Sequence, residues 1–189
     1  MNRRDCLALM GTASLALVGC ASAPPAMGTG DLGVVVARST GTLAIVNTSS
    51  RKLLGQVQGL GDLSHASVVF SRDARHAFVF GRDGGLTKVD LLTQRIVGRV
   101  MQAGNSIGGA ISADGRLVVA QNYTPGGIKA FDTDTLELVA DVPAEHENGK
   151  RSRIVGLVDL PGQRFAYSLF DANAIWITDL SNPAHPVTT

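Results

Sequence analysis

The sequence has little cysteine, little charge and few aromatic side chains. Its two cysteines, Cys6 and Cys20, both fall in the first twenty of 189 residues. That excludes a disulfide framework or a Cys-based zinc site in the body of the chain. Charged residues make up 17% and nearly cancel, 17 Lys+Arg against 16 Asp+Glu, for a formal charge of +1. No net field is present to draw nucleic acid or an acidic surface. Helical periodicity is missing too. Beyond the N-terminal segment, no stretch longer than about eight residues shows a 3.6-residue period, which predicts almost no helix. There is no P-loop, no paired-carboxylate motif and no Ser/His/Asp set. What is present is 44% apolar residues with 22 Gly and 7 Pro. That composition excludes a disordered, coiled-coil or collagen-like chain.

The N-terminal segment reads as an export signal. Asn2-Arg3-Arg4 is basic, and Leu7 to Gly19 is an uncharged stretch of 13 residues, too short to span a bilayer. Leu17-Val18-Gly19-Cys20 then places small residues before a cysteine. This order resembles the bacterial lipobox, which implies acylation of Cys20 and a membrane-anchored lipoprotein. Ala21, rather than Asp, follows the cysteine, which implies the periplasmic face of the outer membrane. Residues 1–19 are thus the expected lipoprotein signal peptide, 20–30 a flexible tether, and 31–189 the folded body. Arg3-Arg4 leaves both Sec and twin-arginine export open.

The body repeats itself. Four segments each carry a β-run, a turn and a second β-run closed by Asn47, Asp90, Asp132 or Asp179, spaced 43, 42 and 47 apart. Further apolar runs flank them, such as Ala66 to Phe70, Arg95 to Val100 and Glu137 to Val142. Four strands per unit at this period is the signature of β-propeller blades. The expected fold is all-β, a β-propeller of four-stranded antiparallel blades with about four blades in this chain. The fourth blade is expected to stop short of its outer strand. Gly28-Thr29-Gly30-Asp31-Leu32-Gly33 spells G-x-G-x-x-G. A Pro-containing tether precedes it and a β-run follows, so it lacks the strand and helix of a dinucleotide site.

The stretch SHASVVFSRDARHAFVFGRDGGLTKVD, from Ser64 to Asp90, resembles the haem d1 domain of cytochrome cd1 nitrite reductase, an eight-bladed propeller. The whole body, from DLGVVVARSTGTLAIVNTSS to SRIVGLVDLPGQRFAYSLFDANAIWITDLSN, is similar to the NirF family of haem d1 biosynthesis proteins. The resemblance implies that this chain holds roughly the N-terminal half of such a ring.

It also implies a site. His65 stands where the haem d1 domain has its axial iron ligand, and a neutral imidazole suits iron. Read without the resemblance, a lone histidine at a strand entry caps it by hydrogen bonding. Arg82 matches an arginine that holds the macrocycle's carboxylates, and Arg38 and Arg153 take equivalent places in the first and fourth units. A planar guanidinium pairs bidentately with carboxylate. Tyr123 matches a tyrosine flanking the ring, where it could stack or donate. Val68 departs from the pattern, since the cd1 enzyme has an arginine there. Arg72 and Arg75 read as exposed turn residues, and His146 and His185 carry no signal.

The implied function is that of an extracytoplasmic lipoprotein that binds haem d1 or a dihydro-haem d1 precursor. It would serve haem d1 biosynthesis beside other biosynthetic or nitrite reductase proteins. A late side-chain oxidation or delivery of the cofactor would fit equally. The alternative is a ligand-free propeller acting as an interaction scaffold at the envelope.

Overall fold

The computed structural model describes residues 28–189. The expected signal peptide, Cys20 and most of the expected tether lie outside these residues. Fifteen strands form four antiparallel sheets in sequence order. Blade 1 holds β1 (Leu32–Ala37), β2 (Thr42–Asn47) and β3 (Lys52–Val57). Blade 2 holds β4 (Ser67–Phe70), β5 (His76–Phe80), β6 (Gly85–Asp90) and β7 (Arg95–Met101). Blade 3 holds β8 (Asn105–Ile111), β9 (Leu117–Thr124), β10 (Ile128–Asp132) and β11 (Leu138–Val142). Blade 4 holds β12 (Ile154–Leu160), β13 (Arg164–Leu169), β14 (Ala174–Asp179) and β15 (Val187–Thr188). The one helical element among the described residues is a 3₁₀ turn, Glu147–Gly149.

Two details differ from the repeat read in the sequence. Blade 1 has three strands among the described residues, β1 to β3, where the repeat read in the sequence had four. Blade 4 does have an outer strand. It is two residues long, pairing Thr178 with Thr188 and Asp179 with Val187.

The blades stack face to face, and the period of two explains how. Along β5, Ala77 and Val79 join Leu43 and Ile45 of blade 1, while Phe78 and Phe80 turn to Val118 and Ala120 of blade 3. Along β9, Leu117 and Val119 turn to Phe165 and Tyr167 of blade 4. A strand covered on both faces needs no polar alternation, which is why Ala77-Phe78-Val79-Phe80 reads as a continuous apolar run. Each fully buried Phe contributes about 1.5–3 kcal/mol. The inner strand β8 lies against β4 on one side and β12 on the other.

The spaced Asn and Asp residues have a physical role. Each ends the third strand position of its blade and caps the next turn. Asp90 Oδ1 accepts the Leu92 and Thr93 N–H groups, and Asp132 Oδ1 accepts those of Asp134 and Thr135. Asn47 accepts from Ser50 and Asp179 from Ser181 in the same way. Such side-chain to backbone bonds favour turns over continued strand. Arg72 and Arg75 are half-exposed but engaged. Arg75 pairs with Asp90 at 2.8 Å. Arg72 donates to the Ile111 and Ser112 carbonyls of blade 3 and pairs with Asp159 of blade 4 at 3.0 Å.

Candidate functional site

Where the inner strands begin, His65, Arg82, Asn105, Ile107, Tyr123 and Val155 line one cavity of about 370 Å³. That volume is at the lower end for small-molecule sites. Two larger clefts exist, of about 680 Å³ beside the β1–β2 turn and about 620 Å³ on the outer face of blade 4. Neither contains a histidine or an arginine, so chemistry favours the smaller cavity.

His65 sits on the connection into β4, and blade 2 braces that connection. The Ser64 N–H donates to Asp62 Oδ1 at 2.8 Å, and the Arg82 N–H donates to the Asp62 carbonyl at 2.8 Å. Hydrogen bonds from Ser64, and secondarily the Arg82 charge, hold the Asp62 carboxyl below the usual carboxylate range. Arg99 donates to the Leu60 carbonyl and, at 2.8 Å, to Thr87 Oγ1, and pairs with Asp83 at 2.7 Å. Gly84 closes the turn that carries Arg82 at φ +82°, where a Cβ would strike the Ala103 carbonyl oxygen. Only glycine fits there.

The imidazole of His65 is exposed and makes no hydrogen bond to a described residue; it caps nothing. Arg82 is likewise exposed, with no ion pair to a described residue. Tyr123 lies at the end of β9. Arg153 Nη1 donates to its hydroxyl at 2.7 Å.

Arg153 is placed differently from a free carboxylate clamp. Its guanidinium stands 5.0 Å from the Tyr123 ring centre and 4.4 Å from that of Phe170, and its Nε donates to both Asp171 oxygens at 3.1 Å. Hydrogen bonds from Arg153 hold the Asp171 carboxyl at about 2, and the same bonds push Arg153 upward. The guanidinium's fork is therefore taken, and it meets the cavity through Tyr123. Arg38, in the β1–β2 turn, is exposed and is not among the residues that line the cavity. Of the three arginines read from the sequence, the structure brings Arg82 into the cavity.

Asn105, Ile107, Val155 and the Phe170–Asp171 pair were not among the residues expected from the sequence. Asn105 Oδ1 is buried without a hydrogen-bond partner, the one such side-chain atom among the described residues. No group of three or more metal-binding side chains occurs among the described residues. Among the residues that line the cavity, His65 can offer a metal one nitrogen. Unengaged imidazole, unpaired guanidinium, unmet amide oxygen and the apolar Ile107 and Val155 together fit an acidic, metal-bearing planar ring.

Residues 27–189 match the model of the cytochrome D1 heme domain. The chain belongs to the cytochrome D1 heme domain family. It is 59% identical over 175 residues to protein NirF of Pseudomonas aeruginosa, covering 92% of this chain and 45% of that protein. It is 56% identical over 179 residues to protein NirF of Stutzerimonas stutzeri, covering 94% and 46%. Its structure is similar to that of dihydro-heme d1 dehydrogenase NirN in complex with DHE, with a TM-score of 0.76 and 27% identity. That match covers 88% of this chain and 36% of the other. The chain thus spans a little under half the length of the curated relatives it matches. Within the cytochrome D1 heme domain family, the four stacked sheets are blades of a β-propeller, and the cavity opens at the end where their inner strands start.

Proposed function

We propose that this protein is an extracytoplasmic, lipid-anchored propeller that binds haem d1 or its late dihydro-haem d1 precursor. In this reading it serves haem d1 biosynthesis, and so the maturation of nitrite reductase in denitrification. The observation that carries the reading is the convergence of His65, Arg82 and Tyr123, each without a committed partner on the cavity side, in a D1 heme domain chain. The tetrapyrrole is the protein's substrate or cargo. His65 supplies one axial nitrogen, and the macrocycle brings the remaining equatorial ligands. Arg82 takes a rim carboxylate, and Tyr123 flanks the ring edge, held there by Arg153. Arg38 would meet only a part of the ligand that reaches beyond the cavity. The similarity to proteins named NirF, and to a dihydro-heme d1 dehydrogenase, supports a late place in the making of the cofactor.

The test is an absorbance titration of the full-length protein with haem d1. New ligand-field bands are expected on binding, and His65→Ala should bind without the axial-ligation bands. Absence of binding by the wild type would turn the reading to a ligand-free scaffold. Unchanged bands in the variant would remove His65 as ligand.

A further inference from the structure

Asn105 opens β8, and its pairing with β9 is irregular on its C-terminal side, between Asn105 and Ser106 and again between Ser106 and Gly108. Irregularities of this kind re-aim side chains beside binding sites. Here the result is a carboxamide that lines the cavity with its Oδ1 buried and unmet. Native folds keep few such atoms, because a buried acceptor without a donor is costly. In register Asn105 faces Thr124, so Tyr123 is its near neighbour on β9.

Tyr123 supplies the complement. A guanidinium only donates, so the bond from Arg153 uses the phenol oxygen as acceptor. The one phenolic proton is left to donate, and no described residue beside the cavity accepts it.

We propose that Asn105 and Tyr123 together hold one O–H group of the ligand, which accepts from the Tyr123 hydroxyl and donates to Asn105 Oδ1. A carboxylate or keto oxygen cannot do both. A neutral carboxylic acid on the ligand's rim, or a water molecule carried on its metal, can. Arg82, by its charge, selects an ionised carboxylate, so the cavity tells two acidic groups apart by protonation. This assignment rests on the tetrapyrrole reading above.

The experiment titrates the full-length protein with haem d1, its methyl ester and the iron-free macrocycle, for wild type, Asn105→Leu, Tyr123→Phe and the double variant. Each single variant should bind haem d1 about tenfold more weakly, the worth of one hydrogen bond. The double variant should lose little more than either single, because both residues hold the same group. Without ligand, Asn105→Leu should melt no lower than wild type, since it removes an unmet acceptor. If the group is a rim acid, esterification weakens wild type by a larger factor than Asn105→Leu, the loss at Arg82 being common to both. If it is metal-bound water, loss of iron does so instead.

The assignment is overturned if wild type binds and Asn105→Leu binds equally well. It is also overturned if the variant's affinity falls in step with its melting temperature, if the two single losses add, or if both probes weaken wild type and Asn105→Leu by the same factor. A wild type that takes up no haem d1 overturns the tetrapyrrole reading itself, and this assignment with it.

Discussion

Gln102 and Asn122 exchange both hydrogen bonds of their carboxamides, Gln102 Nε2 to Asn122 Oδ1 at 2.9 Å and Asn122 Nδ2 to Gln102 Oε1 at 3.0 Å. Both side chains are buried, and the pair joins the end of blade 2 to β9 one residue before Tyr123. Lys129 Nζ also donates to the Gln102 carbonyl at 2.9 Å. A fully satisfied buried pair fixes one register for the wall that carries Tyr123. Gln102→Ala or Asn122→Ala should each cost about 1–3 kcal/mol, because the surviving amide is left unmet. The double leucine variant should cost less than the two alanine losses together. Urea denaturation measures all of them, and strictly additive losses would mean that water satisfies the amides.

Gly109 in β8 has no room for a side chain. A Cβ there would meet the Val119 carbonyl oxygen and the ring of Phe80 from the neighbouring blade. Gly109→Ala should destabilise by about 1–3 kcal/mol through overpacking. Adding Phe80→Leu should recover part of that loss. Thermal unfolding of the single and double variants checks this, and a Gly109→Ala protein as stable as wild type would show that blades 2 and 3 slide apart freely.

The Asp171–Arg153 pair sets a pH window. Asp171 titrates at about 2 in the fold against an ordinary 3.8. A depressed carboxyl contributes stability that is fully present above its unfolded value and is lost as pH falls through the folded one. The stability gap between wild type and Asp171→Asn should therefore be constant from pH 7 to about 5, narrow below about 4 and close near 2. A gap that closes near neutral pH would assign it to a different group.

Arg99 and Asp83 act on His65 at one remove, through the Leu60 carbonyl and the Asp62 loop. Arg99→Ala should leave the blades folded, with native circular dichroism, and weaken axial ligation of bound haem d1 by roughly tenfold, the cost of a lost charge-assisted bond. Arg99→Lys should restore part of it. Ligation that stays intact in Arg99→Ala would mean that the loop holds its shape unaided.

Cys20→Ala should release the exported protein from the membrane, because no acyl chain could then be attached. Stable anchoring needs more than one chain or a second signal. Cell fractionation decides it, and equal membrane retention of the variant would point to another anchor.

The blades were legible because their signals are local. Asp90 and Asp132 cap turns two and three residues away, and β5 is apolar throughout because both its faces are covered. His65, Arg82 and Tyr123 were expected from their sequence context to meet a ligand, and the fold brings them to one cavity. Asn105 was not found, since Ala103-Gly104-Asn105-Ser106 resembles any polar turn. Its exposure to the cavity depends on a pairing irregularity with β9, more than ten residues on. Arg153 was read as a rim arginine, but its partner Asp171 lies 18 residues further, and no periodicity announces that bond. Arg38 shares the phase of Arg82, yet it is not among the residues that line the cavity.

Blades 2 and 3 have a neighbour on each face, whereas among the described residues blades 1 and 4 are covered on one face. On the outer face of blade 4, Val158 is 56% exposed and Ile175 74%. In such a stack, cohesion passes only between adjacent layers, as in a one-dimensional Ising chain. Amide hydrogens of β5, β6, β9 and β10 then exchange only when two contacts open together. The wall that bears Asn105 and Tyr123 belongs to this slow interior, between blade 2 on one face and blade 4 on the other.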